Sequence, residues 1–245
     1  NGTIDDVRIY NRALTQSEIQ AYMNNSVGPP PPPIPQLTHG PIIGHTTSNS
    51  TKIWARSDME SLYQIEYSLD PNLIESVIST SINLTQPDDF TGVVEISGLS
   101  SDTIYYYTVL LNGTRKISST YPSFRTYPTN VTTVKFAFGA ENYHVSGQNT
   151  DPTWVIWASL NSKNPDFFLN LGDFTYQDKT PISLNLQDYR QKYKDSYNML
   201  NYKNMANHIP VYNIWDDHEI TNNWAGKNST SLYPIGNEAA DEYLF

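Results

Sequence analysis

Three short apolar runs in the second half of the chain alternate with helix-like segments, and this order strongly limits the possible fold. The runs begin near residues 131, 165 and 209. Between them, residues 151–164 and 183–208 show helical spacing, with Leu186, Tyr189, Tyr193 and Tyr197 near a 3.6-residue period. A β-α-β-α-β order predicts a parallel sheet with helices on its faces. The nearly continuous apolar runs further predict that both sheet faces are covered.

Polar residues follow each of the three predicted strands. The three groups are Glu141, Asn142, Tyr143 and His144; Gly172, Asp173 and Tyr176; and Asp216, Asp217, His218 and Glu219. Because ligands bind beyond the carboxyl ends of parallel strands, we expect these groups to converge. Converging carboxylates repel one another unless a cation lies between them, which indicates a metal site. Taken singly, each group also fits a turn, a helix cap or a satisfied histidine.

Composition narrows the chemistry of such a site. The 245 residues include no Cys, so disulfides are excluded and a metal must be held by oxygen and nitrogen ligands. A formal net charge of −10 argues against a nucleic-acid-binding surface and against an anionic membrane as partner. No apolar stretch reaches the roughly 18 residues of a membrane span.

The first half of the chain shows a different pattern. Residues 36–127 contain short alternating or β-branched runs separated by turn residues, which predicts an all-β domain. Leu99, Thr103, Tyr105 and Tyr107 fit the tyrosine corner of a fibronectin-type sandwich. We expect the many tyrosines here to serve packing rather than ligand binding.

Five consecutive prolines within residues 28–35 separate this domain from a short upstream segment. Such a run favours a stiff polyproline II spacer, although a proline-rich recognition motif is the alternative. Upstream, "DDVRIY" predicts a strand, and Thr15 with Glu18 predicts a capping box at the start of a helix. Residues 1–27 resemble the C-terminal end of a laminin-G-like (concanavalin-type) jelly roll. The carbohydrate-binding part of such a domain would lie upstream.

Two motifs, "NLGDFTY" and "IPVYNIWDDHEITNNWAG", closely resemble those of PhoD-like alkaline phosphatases, a branch of the calcineurin-like metallophosphoesterases. The resemblance covers residues 38–245. It implies a multi-domain chain in which an all-β fibronectin-like sandwich, residues 36–127, precedes an α/β metallophosphoesterase domain, residues 128–245. It also implies hydrolysis of phosphate monoesters or diesters, with the phosphate ester as substrate and a secreted or cell-surface location.

The resemblance implies a role for each matching residue. Asp173 would bridge two metal ions, typically Fe³⁺ and Ca²⁺, and Tyr176 would bind the harder one through its phenolate. Asp217 would bind the second metal, and His218 would contact phosphate and assist the leaving group. Glu141 falls where the family usually has a cysteine ligand, and Asn142 follows it as a candidate substrate contact.

A second departure concerns histidine ligands. The family supplies further histidines from a "GH" and an "H-x-H" motif downstream, and neither occurs before Phe245. We therefore expect the catalytic domain to be truncated and inactive as this fragment. The alternative is a non-catalytic secreted or surface adhesion module that carries an incomplete phosphatase domain.

Overall fold

The computed structural model describes residues 9–10, 12–24, 32–130, 133–142 and 154–245. The chain divides into two compact units, Asn1–Ile34 and Pro35–Phe245. No helix in these described ranges is long and apolar enough to cross a membrane.

Helix α1 (Gln16–Asn24) lies in the first unit and is the one regular element among the residues described there. The Thr15 N–H donates to Glu18 Oε2 at 2.7 Å, and the Glu18 N–H donates to Thr15 Oγ1 at 3.3 Å. This reciprocal pair is the capping box that the sequence predicts. The strand predicted from "DDVRIY" and most of the proline run lie outside the described residues.

Antiparallel strands make up the first part of the second unit. Their bounds are β1 (Leu37–Gly44), β2 (Ser50–Ser57), β3 (Ser61–Ser68), β4 (Val77–Ile78), β5 (Ile82–Leu84), β6 (Thr91–Ser97), β7 (Ile104–Leu111), β8 (Thr114–Arg115) and β9 (Ser123–Arg125). One sheet has the order β1-β2-β6, and the other has β4-β3-β7-β8 with β5 on β3 and β9 on β7. The predicted alternating runs form β2, β3, β6 and β7. Strand β1 is not predicted, because Gly40 and Pro41 interrupt it; an edge position tolerates such residues.

The two antiparallel sheets share one apolar core. Ile43, Ile53 and Ile96 contribute from the first sheet, and Tyr63 and Tyr107 contribute from the second. At one end of this core, the Ser100 N–H donates to the Tyr105 hydroxyl at 2.9 Å. This is the hydrogen bond of a tyrosine corner, and it identifies Tyr105 as its tyrosine.

The second part of the unit contains the parallel sheet that the sequence predicts. Strands β10 (Phe136–Gly139), β11 (Phe167–Leu171) and β12 (Val211–Ile214) pair in parallel in that order. The helices are α2 (Val155–Lys163), α3 (Leu186–Tyr197), α4 (Leu200–Ala206) and α5 (Tyr233–Tyr243). The long helical segment predicted over 183–208 is two helices, broken at Asn198 and Met199. Helix α3 buries Tyr189, Tyr193 and Tyr197, which confirms the predicted face.

The prediction that both faces of the parallel sheet are covered is wrong for the described chain. Trp157 of α2 packs edge-on against Phe168, which is 3% exposed. The opposite face includes Phe138 and Ile214, which are 66% and 57% exposed. The apolar runs are therefore covered on the helix side, while the described residues leave much of the other side open.

Helices α3 and α5 pack against the outer face of the β1-β2-β6 sheet. The Trp54 indole N–H donates to the Glu242 carbonyl at 2.8 Å, and its ring contacts Tyr197 and Tyr243. Beside it, the Asp89 carboxylate accepts hydrogen bonds from the Arg56 guanidinium, the Lys194 ammonium and the Tyr243 hydroxyl. Arg190 likewise pairs with Glu242. The antiparallel sheets and the helices of the parallel sheet thus form one interlocked unit.

Candidate metal centre

Asp173, Asp217 and His218 form a group at the carboxyl end of the parallel sheet. One ligand atom from each residue lies within 4.8 Å of the others. Asp173 follows β11, whereas Asp217 and His218 follow β12, its neighbour in the sheet. The structure therefore brings together three residues that the sequence placed at two strand ends.

Gly172 and Asp173 turn the chain sharply at the end of β11. Gly172 has φ of +101°, and a Cβ there would lie 2.7 Å from the Cβ and backbone nitrogen of Asp216. Only glycine permits this close approach of the two strand ends. Asp173 has φ of 55°, in the left-handed region that Asp tolerates better than most residues. This turn presents the Asp173 carboxylate toward the end of β12.

Glu219 links the end of β11 to the end of β12 through hydrogen bonds. Its carboxylate is fully buried and accepts backbone N–H hydrogen bonds from Asp173 at 3.0 Å, Phe174 at 2.5 Å, Thr175 at 3.4 Å and Asp216 at 2.9 Å. Burial raises the pKa of this carboxyl group, although the backbone hydrogen bonds favour its charged form. The sequence placed Glu219 among the strand-end residues but gave it no role. Its burial is visible only in three dimensions.

His218 is oriented by a second carboxylate that the sequence did not single out. Its Nδ1 lies 2.7 Å from Asp178 Oδ1, five residues beyond Asp173. A carboxylate accepts, so Nδ1 carries the proton and Nε2 is the acceptor nitrogen. The ring also lies 4.3 Å from the Tyr176 ring, centroid to centroid. A carboxylate shortly after "GDFTY" was the available signal for this partner.

The negative charge of the Asp173 carboxylate is buried and has no Lys or Arg partner among the described residues. It is 8% exposed, and burial raises its pKa; Asp217 and Asp216 raise it further, while His218 lowers it. Among the described residues, neither Asp173 nor Asp217 forms a salt bridge with Lys or Arg. Two carboxylate oxygens and an imidazole nitrogen suit a divalent or trivalent cation. The donor set and its uncompensated charge thus fit a metal ion.

Tyr176 is placed beside this group. Its hydroxyl donates to Asp173 Oδ2 at 3.3 Å, and the side chain is buried. Burial and the nearby carboxylates of Asp173 and Glu141 raise the pKa of the phenol far above its ordinary value. A metal ion would have to offset this effect for the phenolate to form.

The end of β10 is hydrogen-bonded to the same turn. The Asn142 N–H donates to the Asp173 carbonyl at 2.9 Å, and its buried side-chain amide lies 3.5 Å from the Phe174 carbonyl. Glu141 is exposed and lies outside the three-residue group, although its charge acts on Tyr176. Tyr143 and His144 lie outside the described residues. Glu141 and Asn142 are thus near the site, but their side chains do not complete the group.

Comparisons with known proteins agree with this architecture. A family model described as PhoD-like phosphatase matches residues 137–241, and a model of the PhoD-like phosphatase N-terminal domain matches residues 24–128. No curated protein sequence matches the chain. A solved structure described as PhoD is 20% identical with a TM-score of 0.67, covering 82% of this chain and 44% of that chain. This chain therefore spans less than half of that protein.

Two smaller solved structures are also similar to part of the chain. The sensor domain of the anti-sigma factor RsgI4 from Pseudobacteroides cellulosolvens has 19% identity and a TM-score of 0.30, covering 40% of this chain and 99% of its own. A fibronectin type III domain from the human KIAA0970 protein has 9% identity and a TM-score of 0.31, covering 40% and 77%.

The fold and the site together define a class of protein. It has an α/β domain with a candidate metal centre at the carboxyl edge of its parallel sheet, preceded in the chain by an antiparallel domain. Both family models describe parts of the same family, and together they cover most of the chain. The chain belongs to the PhoD-like phosphatases.

Proposed function

We propose that this chain is part of a metal-dependent phosphoric ester hydrolase. The observation that carries the proposal is the group formed by Asp173, Asp217 and His218, whose ligand atoms lie within 4.8 Å of one another at the sheet edge. The two matching family models support the same function. The substrate class is a phosphate monoester or diester.

Each site residue receives a role in this proposal. Asp173 and Asp217 would hold the cations, with Asp173 shared between the two, and Tyr176 would offer its phenolic oxygen to the harder one. We propose Fe³⁺ and Ca²⁺ as the pair. Glu141 lies near enough for its charge to act on Tyr176 and is the candidate replacement for the family's cysteine ligand.

His218 is the residue that contacts the phosphate and assists departure of the leaving oxygen. With Nδ1 held by Asp178, its Nε2 faces away from that carboxylate and can contact a phosphoryl oxygen or the leaving oxygen. Asp178 keeps the imidazole in one orientation. Asn142 remains a candidate substrate contact beside the turn.

The cations would supply positive charge that neutralises the phosphoryl oxygens and lowers the pKa of an attacking water. The chain's own part is geometric: the Gly172 turn and the Glu219 carboxylate fix the two strand ends before a substrate arrives. Such preorganisation avoids reorganisation during the reaction.

We further propose the finer domain assignment. Residues 36–127 form a fibronectin-like sandwich, residues 128–245 belong to the catalytic domain, and residues 28–35 are a proline-rich linker. Residues 1–27 are the end of a laminin-G-like domain whose upstream part would bind carbohydrate. A secreted or cell-surface location fits this arrangement.

The proposal is tested by elemental analysis of the purified protein together with hydrolysis assays. The substrates are 4-nitrophenyl phosphate and bis(4-nitrophenyl) phosphate, for the 245-residue chain and for any longer product of the same gene. Bound metal with hydrolysis by the longer product supports the proposal. A longer product without either would favour the non-catalytic adhesion module.

A further inference from the structure

Three aromatic rings from the chain segment that follows β12 form a cluster. Trp215, Trp224 and Tyr233 lie with their ring planes 17°, 3° and 15° apart, and the corresponding centroid distances are 5.3, 5.6 and 6.5 Å for the pairs 215–224, 224–233 and 215–233. Because all three distances are similar, the rings are offset rather than stacked in a column. All three side chains are partly exposed. We refer to these three residues as the aromatic patch.

The patch is tied to the candidate metal ligand Asp217 by a short, hydrogen-bonded loop. The Asn223 N–H donates to the Asp217 carboxylate. The Thr221 N–H donates to the Asp217 carbonyl at 2.8 Å, and the Trp224 N–H donates to the Thr221 carbonyl at 2.9 Å. Trp224 therefore cannot move far from the ligand without breaking these bonds.

At the other end of the patch, the backbone of Trp215 lies against the turn that follows the neighbouring strand, β11. Trp215 directly follows β12, and its carbonyl carbon would lie 3.1 Å from a Cβ at Gly172. Its backbone thus rests on the turn that presents Asp173. Trp215 and Trp224 therefore flank Asp216 and Asp217 along the chain; Trp215 lies against the turn after β11, and Trp224 is held by the loop after β12.

We propose that the aromatic patch binds a planar aromatic group esterified to the phosphate that occupies the metal centre. This rests on the proposed function. Parallel, offset rings are the arrangement in which aromatic groups attract one another, and a partly exposed set can accept one more planar ring. The patch carries no charge, so it has no means of holding a polar or anionic leaving group by ion pairing. The substrate class is therefore an aryl or similarly planar phosphate ester rather than a small alkyl one.

Non-hydrolysable phosphonates test the patch independently of catalysis. Isothermal titration of the full chain, with and without added Ca²⁺, compares phenylphosphonate with methylphosphonate. We expect the phenyl compound to bind roughly tenfold more tightly, as stacking on an aromatic side chain allows. Trp224→Leu should remove this preference, whereas Trp224→Phe, which retains a ring, should keep most of it. Tyr121→Leu, in the antiparallel domain, is the control.

Several results would overturn the proposal: equal binding of both phosphonates by the unaltered chain, binding of neither, or a preference that survives in Trp224→Leu. If circular dichroism shows that Trp224→Leu does not fold, Tyr233→Leu takes its place and should likewise remove the preference for phenylphosphonate. Ester hydrolysis is scored separately. A phenyl preference together with no hydrolysis by the longer product would sink the proposed function and keep the patch, and hydrolysis by that product without a preference would do the opposite.

Discussion

His218 Nδ1 and Asp178 Oδ1 lie 2.7 Å apart, which joins the segment after β12 to the segment after β11. The contact sets the imidazole orientation before any ligand is present, because a carboxylate accepts only from a protonated Nδ1. Both side chains are largely buried, so water screens the pair weakly.

Asp178→Asn tests this orientation. Removing the charge weakens the hydrogen bond to His218 and permits the other ring orientation, so we expect hydrolysis by the active protein to fall about 10- to 100-fold. Bound metal should be unchanged, because the proposed function gives the cations to Asp173 and Asp217, whereas Asp178 contacts only His218 in the group of three. Asp195→Asn, at a partly exposed carboxylate on α3, is the matched control. Loss of metal together with activity would show that Asp178 holds the site rather than His218.

Asp173→Asn tests the bridging role. The amide carries no charge to share between cations, so we expect metal content measured by elemental analysis and turnover to be lost together. Asp216→Asn is the matched control, because Asp216 adjoins Asp217 but lies outside the group of three. Full metal occupancy in Asp173→Asn would contradict the bridging role.

Glu219→Gln tests the buried carboxylate that holds the strand ends. A glutamine NH₂ would face backbone N–H donors that now bind a carboxylate, so some of the four hydrogen bonds must be lost. We expect the free energy of unfolding to fall by about 3 kcal/mol, measured by urea denaturation. Glu238→Gln, on the exposed face of α5, should change stability little. An equal effect of both substitutions would mean that the hydrogen bonds of the buried Glu219 carboxylate add nothing measurable to the free energy of unfolding.

His39 predicts how stability depends on pH. It is buried between the β1 edge and α3, where its Nε2 lies 3.0 Å from the Asn198 side-chain amide. Burial, together with the smaller effects of Arg56, Lys203 and Lys194, lowers the pKa of His39 to about 4, and Asp89 opposes this shift. The unfolded chain takes up the proton near pH 6.5. Stability from the neutral ring is therefore complete above pH 6.5 and is lost as the pH falls through 4.

The expected loss between pH 6.5 and pH 4 is about 3 kcal/mol, since one pKa unit is worth about 1.4 kcal/mol. Urea denaturation at pH 7, 6, 5 and 4 measures it. His39→Gln, which cannot be protonated, should flatten the curve over that range. His45→Gln, at an exposed neighbouring histidine, should leave the slope as it is. A slope unaffected by His39→Gln would assign the acid sensitivity to other groups.

Local patterns carried part of this fold. The spacing of Tyr189, Tyr193 and Tyr197 predicted a buried helical face, and the capping box of Thr15 and Glu18 formed as the pattern required, because both depend on contacts three or four residues apart. Strand β1 was missed, since Gly40 and Pro41 disfavour a strand locally and only pairing with β2 forms it. The open face around Phe138 was also missed, because an apolar residue does not reveal whether anything covers it.

By itself the sequence determined the β-α-β-α-β order in the second half of the chain and the strand-end positions of Asp173, Asp217 and His218. These follow from periodicity and from the rule that ligands lie beyond parallel strands. Only the tertiary structure decided which carboxylates serve which purpose. Asp178 is the partner of His218, Glu219 is the buried carboxylate that links the two strand ends, and Glu141 lies at the surface. These roles depend on distances between chain segments that are far apart in sequence.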